Sequence, residues 1–455
     1  MRSHPANEDF RLLSWLHACE FAVPPAMIES ATTRRATGDW AGACAAAHID
    51  VDLSLRSAAD AHGREFAAHV RDDLRHLAPD LLRWHMPRSA PDGLLRSGLT
   101  ISLARYDPAE HGCARAVHLV ARTPPTWAAA GQRISLALWD GARSGWCGSR
   151  SRVGPHPHPR PHQRFRLDLH RHLWDTRRTG ELRARSGADR PPPGNSLPPD
   201  LNALLEPGCA VDRWAAEAGI LLRAEGRAGG AVAVRLGGRR RLVLDPAAGE
   251  TPAGFPHLTA APARGGRSAL PVLPDAATWV LPDLALLRAG LIEADRLHPL
   301  VAAALVPDRP AAGAHPGPAG GSDARLVECR GARHRIGLVD GVLVPLDHDP
   351  DEIRRETLLA ALTGTPLPCL QVIDQAHRDP ACLIDVRARL DHGDIAGALA
   401  VVEDLLGPDA SLPGGPLREE LETATRRRAA HRLYRAGLAG LARVPRRDRR
   451  PRRTR

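Results

Sequence analysis

The sequence predicts an α+β, multidomain fold with helical N- and C-terminal segments around β-containing middle segments. Three observations predict it. The N-terminal segment repeats apolar residues with the 3.6-residue period of a helix, the middle of the chain alternates apolar and polar residues, and two Pro/Gly-rich stretches interrupt these patterns. With 455 residues, 43% of them hydrophobic, the chain is long enough to form more than one core.

The clearest helical pattern runs from about residue 55 to residue 84. Five apolar residues in it fall on one stripe: Phe66, Val70, Leu74, Leu77 and Leu81. Proline cannot continue a helix, so Pro87 and Pro91 end the pattern. We therefore expect one long helix that packs this stripe against a core.

Strands are predicted wherever the period changes to two. Four runs suit half-buried antiparallel strands that form a small sheet or sandwich: 99–103, 116–120, 133–139 and 165–170. A hairpin is predicted over 231–244 around Gly237-Gly238. A helix is expected over Asp283–Ala289, and three further strands, 324–329, 334–338 and 342–346, precede a helical region from 350 to 440.

These patterns divide the chain into seven segments. We predict a helical segment (1–92), an antiparallel β-rich domain (93–186), a Pro-rich linker (187–208), a mixed α+β segment (209–306), a Pro/Gly/Ala-rich linker (307–323), strands followed by a helical C-terminal domain (324–440) and a disordered Arg-rich tail (441–455).

One short pattern occurs twice, Gly38-Asp-Trp-Ala-Gly-Ala-Cys-Ala45 and Gly393-Asp-Ile-Ala-Gly-Ala-Leu-Ala400. Each is typical of a helix that ends at a left-handed glycine, followed by an aspartate that caps the next helix. The pattern resembles the turn of tetratricopeptide-like helical hairpins. A repeat array needs at least three adjacent copies, so we interpret the two as separate helical hairpins.

The amino-acid composition reflects the base composition of the genome more than it reflects function. The chain has no lysine, and it is rich in Arg, Ala, Gly and Pro, which is typical of a high-GC bacterium. A lysine-free chain excludes the standard Walker A loop, the kinase strand lysine and a pyridoxal phosphate Schiff base. We therefore expect no cofactor, and the evidence for an enzyme is weak.

Most of the net charge of +10 lies in the C-terminal tail, where Arg443–Arg455 contains eight Arg and one Asp. Such a tail could contact nucleic acid through its phosphates, with steep salt dependence. The residues predicted to do so are Arg446, Arg447, Arg449, Arg450, Arg452 and Arg453. The nearly balanced body argues against a basic binding groove.

Histidines offer a possible metal site. His170 and His172 would point to one face of a strand, and His162 from the preceding loop could complete the ligand set. Codon bias explains the same histidines without a function.

Two other polar patterns have simpler structural explanations. The residues His62, Glu65, His69, Asp72 and His76 form a stripe that lies about 120° from the apolar stripe, so it faces solvent. The run Asp347–Glu352 resembles the start of a calcium loop but departs from it at the sixth and twelfth positions, whereas Asp349 and Pro350 fit a helix start.

The eight cysteines are scattered without a Cys-x-x-Cys motif, which favours free thiols in a reducing cytoplasm. No apolar run is long enough to cross a bilayer, and the N-terminus does not look like a signal peptide. The leading hypothesis is therefore a cytoplasmic, non-enzymatic protein-protein interaction or scaffold protein. The alternatives are a nucleic-acid-associated protein that uses the tail and a metal-dependent enzyme with a His-containing site.

Overall fold

The computed structural model describes residues 12–90, 92–107, 116–128, 132–141, 156, 158–190, 205–237, 240–250, 256–260, 270–307, 325–329, 331–339, 342–345, 347–363, 367–371, 381–406 and 416–436. The fold is α+β, as predicted. The chain groups into two compact units, the first formed by Met1–Asp308 with Arg427–Arg455 and the second by Arg309–Arg426. The seven-segment division stays a prediction.

The first unit contains ten of the α-helices described here. They are α1 Pro25–Ala36, α2 Trp40–Ala46, α3 Leu55–His62, α4 Arg64–His76, α5 Pro79–His85, α6 Leu182–Ser186, α7 Val211–Ala224, α8 Asp275–Thr278, α9 Pro282–Arg288 and α10 Pro299–Leu305. A π-helical turn, Ala18–Ala22, precedes them. The helix predicted over Asp283–Ala289 is confirmed as α9.

The prediction of one long helix over 55–84 is wrong, because the segment forms α3, α4 and α5. Gly63 adopts φ +95° between α3 and α4, a conformation that L side chains rarely adopt, and Pro79 starts α5 at its first turn. The predicted apolar stripe is nevertheless confirmed, since all five of its residues are buried. The helix is thus interrupted twice, and the five apolar residues of the stripe still pack in the core.

The main sheet of the first unit has the order β1-β6-β5-β4, with β1 Ile49–Val51, β4 Thr100–Tyr106, β5 Val117–Arg122 and β6 Ile134–Trp139. Strands β4, β5 and β6 are antiparallel, which confirms three of the predicted runs. Strand β1 pairs with β6 in parallel. A short hairpin, β2 Arg88–Ser89 with β3 Leu94–Leu95, lies before β4.

The fourth predicted strand, 165–170, is wrong. The segment contains the 3-10 turn Leu167–Leu169, and a second 3-10 turn, Arg171–Leu173, follows it. The buried indole of Trp174 donates to the carbonyl of Leu167 at 3.0 Å, which holds the turns in place. The apolar residues of the alternating pattern are therefore buried by 3-10 turns and not by a strand.

A second core lies in the same unit. Strands β7 Val232–Leu236, β8 Arg240–Glu250 and β9 Pro256–Ala260 form an antiparallel sheet, which confirms the predicted strands of the 231–244 hairpin. Helix α7 packs on it through the fully buried Trp214, whose indole donates to the carbonyl of Thr278.

The second unit begins with an antiparallel sheet of β10 Arg325–Cys329, β11 Ala332–Val339 and β12 Val342–Pro345, as predicted. Helices α11 Pro350–Thr363, α12 Ala381–Asp391, α13 Ile395–Leu406 and α14 Pro416–Arg435 follow. A small core of Val386, Leu390, Ala398, Val402 and Ala424 joins α12, α13 and α14. The division between the units falls within α14, at Arg427.

None of the helices in the described part of the chain combines the length and the apolar character that a membrane crossing requires.

Candidate functional site

A large cleft opens in the first unit between its two cores, with a volume of about 1140 Å³. Pockets for single small molecules occupy about 300–1,000 Å³, so this cleft has room for a larger or extended ligand. Six apolar side chains of its lining are called its floor: Leu12, Leu167, Leu173, Val280, Leu281 and Ala285. Trp15, Phe165 and Trp279 add aromatic surface.

Six arginines line the cleft, against two carboxylates, Glu206 and Asp275. The arginines are Arg88, Arg96, Arg164, Arg166, Arg240 and Arg288. They come from widely separated parts of the chain. The wall of the cleft therefore carries a clear excess of positive charge.

Three of these arginines are fixed by polar partners in the protein. Arg164 forms a bidentate pair with Asp275, with both nitrogen-oxygen distances at 2.8 Å. Arg166 binds Asp168 at 2.7 Å and also Glu225. Arg88 donates to the main-chain carbonyls of Arg83 and Gly93, and burial lowers its pKa to about 10.

The other three arginines are exposed: Arg96, Arg240 and Arg288. Within the described residues none of them forms an ion pair with a carboxylate, although Arg288 donates to the carbonyl of Gly187 at 3.0 Å. Guanidinium groups bind carboxylates and phosphates through paired, charge-assisted hydrogen bonds. The rim of the cleft can therefore accept an anionic ligand without breaking an existing ion pair.

Two of the three aromatic rings of the cleft, those of Phe165 and Trp15, lie against these cations. The guanidinium groups of Arg96 and Arg164 lie 5.6 and 5.8 Å from the centroid of the Phe165 ring, which is only 7% exposed. Arg88 lies 5.9 Å from the Trp15 ring. Ring faces occupied by guanidinium groups are poorly placed to stack on nucleic-acid bases, which need an open aromatic face.

The predicted metal ligands His170 and His172 lie close together, with ring centroids 5.8 Å apart, and both are buried. His170 faces two acceptors, the carbonyl of Arg166 at 3.0 Å and the carboxylate of Glu217 at 3.2 Å. A metal ligand must present a lone pair to the ion, whereas each nitrogen of His170 faces an oxygen. Burial, with smaller contributions from His170 and Arg185, lowers the pKa of His172 well below its usual value.

The third predicted ligand, His162, is exposed. Its ring lies 5.1 Å from the ring of Phe165, and its Nδ1 accepts from the main-chain nitrogen of Arg164 at 3.2 Å. Within the described residues, the set of three or more donors that lie within 4.8 Å of one another contains none of these three histidines. The metal site at His162, His170 and His172 stays a prediction.

The six arginines of the predicted nucleic-acid contact lie outside the described residues. The polar stripe on α3 and α4 is confirmed as a solvated surface at its centre, because Glu65, His69 and Asp72 are exposed. Asp349 caps α11 by accepting from the nitrogen of Asp351 at 2.8 Å, as predicted.

Comparison with protein-family models, with curated proteins and with solved structures found no match for this chain. The cleft therefore has to be interpreted from its own geometry. Sequence reasoning missed it because the lining arginines come from segments far apart in the chain. In a sequence with 62 basic residues, all of them arginine, no single arginine is distinctive.

Proposed function

We propose that this protein is a non-enzymatic interaction protein whose cleft binds an acidic segment of a partner protein. The observation that carries the proposal is the rim of three exposed arginines without carboxylate partners above an apolar floor. A peptide that alternates acidic and apolar residues complements both surfaces, because its carboxylates meet the guanidinium groups while its apolar side chains bury on the floor.

Binding suits these residues better than proton transfer does. Arginine keeps its charge across the physiological pH range, so it can hold an anion but rarely exchanges protons. Five of the described cysteines, Cys19, Cys44, Cys209, Cys329 and Cys369, are not in disulfide bonds, which supports the proposal that the protein acts in a reducing cytoplasm.

The test uses a fluorescently labelled peptide in which Glu and Asp alternate with Leu and Phe. Its counterpart with Gln and Asn replacing the acids, and a single-stranded oligonucleotide of equal length, serve as competitors. We expect the acidic peptide to bind and the amide peptide to bind at least about tenfold more weakly, a difference of about 1.4 kcal/mol.

Two charge-matched double variants show whether the acidic peptide binds in the cleft. Arg96→Ala with Arg240→Ala removes two rim charges, whereas Arg56→Ala with Arg64→Ala removes two exposed charges on α3 and α4. We expect the first pair to weaken peptide binding about tenfold and the second to leave it unchanged. Equal effects of the two pairs would refute cleft binding.

The oligonucleotide distinguishes the alternative function. If it binds more tightly than the acidic peptide, and binding disappears in a chain that ends at Ala442, nucleic-acid association through the tail replaces the present proposal. Tight oligonucleotide binding that depends on Arg96 and Arg240 would instead make the cleft a nucleic-acid site.

A further inference from the structure

The strongest unexplained group of side chains lies in the second unit and is independent of the cleft. The sulfur atoms of Cys329 and Cys369 and an imidazole nitrogen of His348 all lie within 4.8 Å of one another. Both cysteines are fully buried and neither is in a disulfide. Two thiols and an imidazole that converge in a buried position are the donors typical of a zinc site.

A further histidine, His334, lies beside this group but outside the set of donors within 4.8 Å of one another. The ring of His334 stacks on that of His348, with centroids 4.1 Å apart and planes at 14°. Among the described residues, Nδ1 of His334 and Nε2 of His348 are buried and have no hydrogen-bond partner. Burying a polar nitrogen without a partner costs stability, and a cation held between these nitrogens and the two thiols would remove that cost.

The topology of the sheet explains why these residues meet. Cys329 pairs with Ala332 across the turn between β10 and β11, and Val327 pairs with His334. Residues opposite each other on paired strands share a face, so Cys329 and His334 lie on the same face of the hairpin. His348 follows the end of β12, and Cys369 lies in the helical segment 368–371.

The orientation of His348 is also that of a metal ligand. Its Nδ1 lies 3.5 Å from Oε2 of Glu352, in the first turn of α11, while its Nε2 has no hydrogen-bond partner in the described part of the chain. Zinc-binding histidines commonly direct one nitrogen to the metal and donate the other N–H to a carboxylate. Glu352 can thus hold the tautomer that presents the Nε2 lone pair.

We propose that the second unit binds one Zn²⁺ ion through Cys329, His348 and Cys369, with His334 as the fourth ligand once its ring turns out of the stack with His348. Tetrahedral zinc at about 2.3 Å from each sulfur places two sulfurs about 3.8 Å apart. The three closest donors therefore need to approach one another by about 1 Å at most. Four protein ligands leave no open coordination position, so the role of the ion is structural rather than catalytic.

The effect of such an ion on folding follows from where its ligands lie in this unit. A zinc ion would link both strands of the hairpin, the start of α11 and segment 368–371. Metal binding then contributes directly to the free energy of folding.

The direct test is the metal content of the full-length chain, purified under reducing conditions from cells supplied with zinc. We expect one zinc per chain, and loss of that zinc in Cys329→Ser, Cys369→Ser and His348→Ala. Cys209→Ser, which alters a half-buried cysteine of the first unit, should keep it. A zinc-free wild-type chain, or full zinc in the Cys329→Ser/Cys369→Ser double variant, would overturn the proposal.

Because a ligand variant could fail to fold, the wild-type chain provides the second test. Removal of the metal with a chelator should lower the unfolding temperature, and Zn²⁺ but not Mg²⁺ should restore it. Co²⁺ in place of zinc should give the thiolate charge-transfer and visible bands of a tetrahedral site. A chelator without effect, or an octahedral cobalt spectrum, would contradict the assignment.

The assignment of His334 has its own test. His334→Ala should weaken zinc affinity at least tenfold while the cobalt spectrum keeps its thiolate band, since water replaces one nitrogen. Unchanged affinity would exclude His334 as a ligand. A disulfide between Cys329 and Cys369 in the protein as it is isolated from cells, with free thiols alkylated at lysis, would exclude the site altogether.

Discussion

At the scale of single residues, Glu217 illustrates how a buried charge is stabilised in the first unit. Burial, the largest effect, raises its pKa, but the nearby His170, 3.2 Å away, and the hydrogen bonds from Arg185 outweigh it and bring the pKa from 4.5 to about 2. Arg185 binds both carboxylate oxygens, at 2.7 and 2.8 Å. The carboxylate thus ties α7 to the 3-10 turns around His170 and to α6.

We predict that Glu217→Gln destabilises the protein by about 3 kcal/mol at neutral pH, as expected from a pKa lowered by between two and three units. The unfolded carboxyl group takes up its proton near pH 4.5 and the folded one near pH 2, so the contribution is complete above pH 4.5 and is lost as the pH falls through 2. Denaturant unfolding between pH 2 and 7 measures this.

The matched control is Glu29→Gln, an exposed glutamate on α1 that should change stability by less than about 0.5 kcal/mol. The difference between wild type and Glu217→Gln should shrink on acidification. A difference that stays constant from pH 7 to pH 2 would show that Glu217 contributes by packing and not by its charge.

The best sequence predictions at this scale were local ones. Asp39 and Asp394 accept from the nitrogens of Gly42 and Gly397 at 2.8 and 3.0 Å, which confirms both predicted caps. An arginine five residues before each aspartate also donates a hydrogen bond to its carboxylate. Caps are predictable because donor and acceptor lie within a few residues of each other.

At the scale of elements, the last turns of α14 depend on contacts far away in the sequence. Arg435 binds both oxygens of Asp52, just after β1. His431 lies 3.6 Å from Asp50 of β1, which also accepts from Arg133 at 2.6 Å. These contacts fix the C-terminal end of the helix on the main sheet of the first unit.

We predict that Arg435→Ala lowers the stability of the first unit by about 1–2 kcal/mol, because it breaks a bidentate, largely buried ion pair. Arg432→Ala on the same helix is the control, since Arg432 is exposed and its removal should have little effect. Hydrogen exchange should show faster opening of α14 near residue 431 in the first variant alone. Equal exchange in both variants would refute the role of this ion pair.

Apolar-polar alternation predicts strands correctly in some segments of this chain and wrongly in one. Strands β4, β5 and β6 could be predicted because each pairs along its length with a neighbour of matching alternation. Segment 165–170 has the same alternation but only one isolated bridge, between Ser102 and Arg166, so tertiary packing decided its conformation. Alternation records which side chains are buried, and a 3-10 turn can bury them as well.

At the scale of the whole molecule, neither the cleft nor the zinc ligands could be read from a local motif. The cleft depends on the packing of two cores whose residues lie far apart in the chain. One feature of the proposed zinc site is nevertheless visible in the sequence. Cys329 and His334 flank a turn at Gly331 at a spacing that places both on one face of a hairpin, whereas a search for Cys-x-x-Cys passes over it.

The two units make a last prediction possible, because each has a core of its own. Calorimetry of the full-length chain should show two unfolding transitions. Leu74→Ala in the main core of the first unit and Leu390→Ala in the core of the second unit should each destabilise one unit by about 2–5 kcal/mol and lower a different transition. Chelation of the proposed zinc should shift the transition that Leu390→Ala shifts, whereas Glu217→Gln should shift the other. If every variant lowers both transitions equally, the units unfold as one cooperative structure and the continuity of α14 couples them.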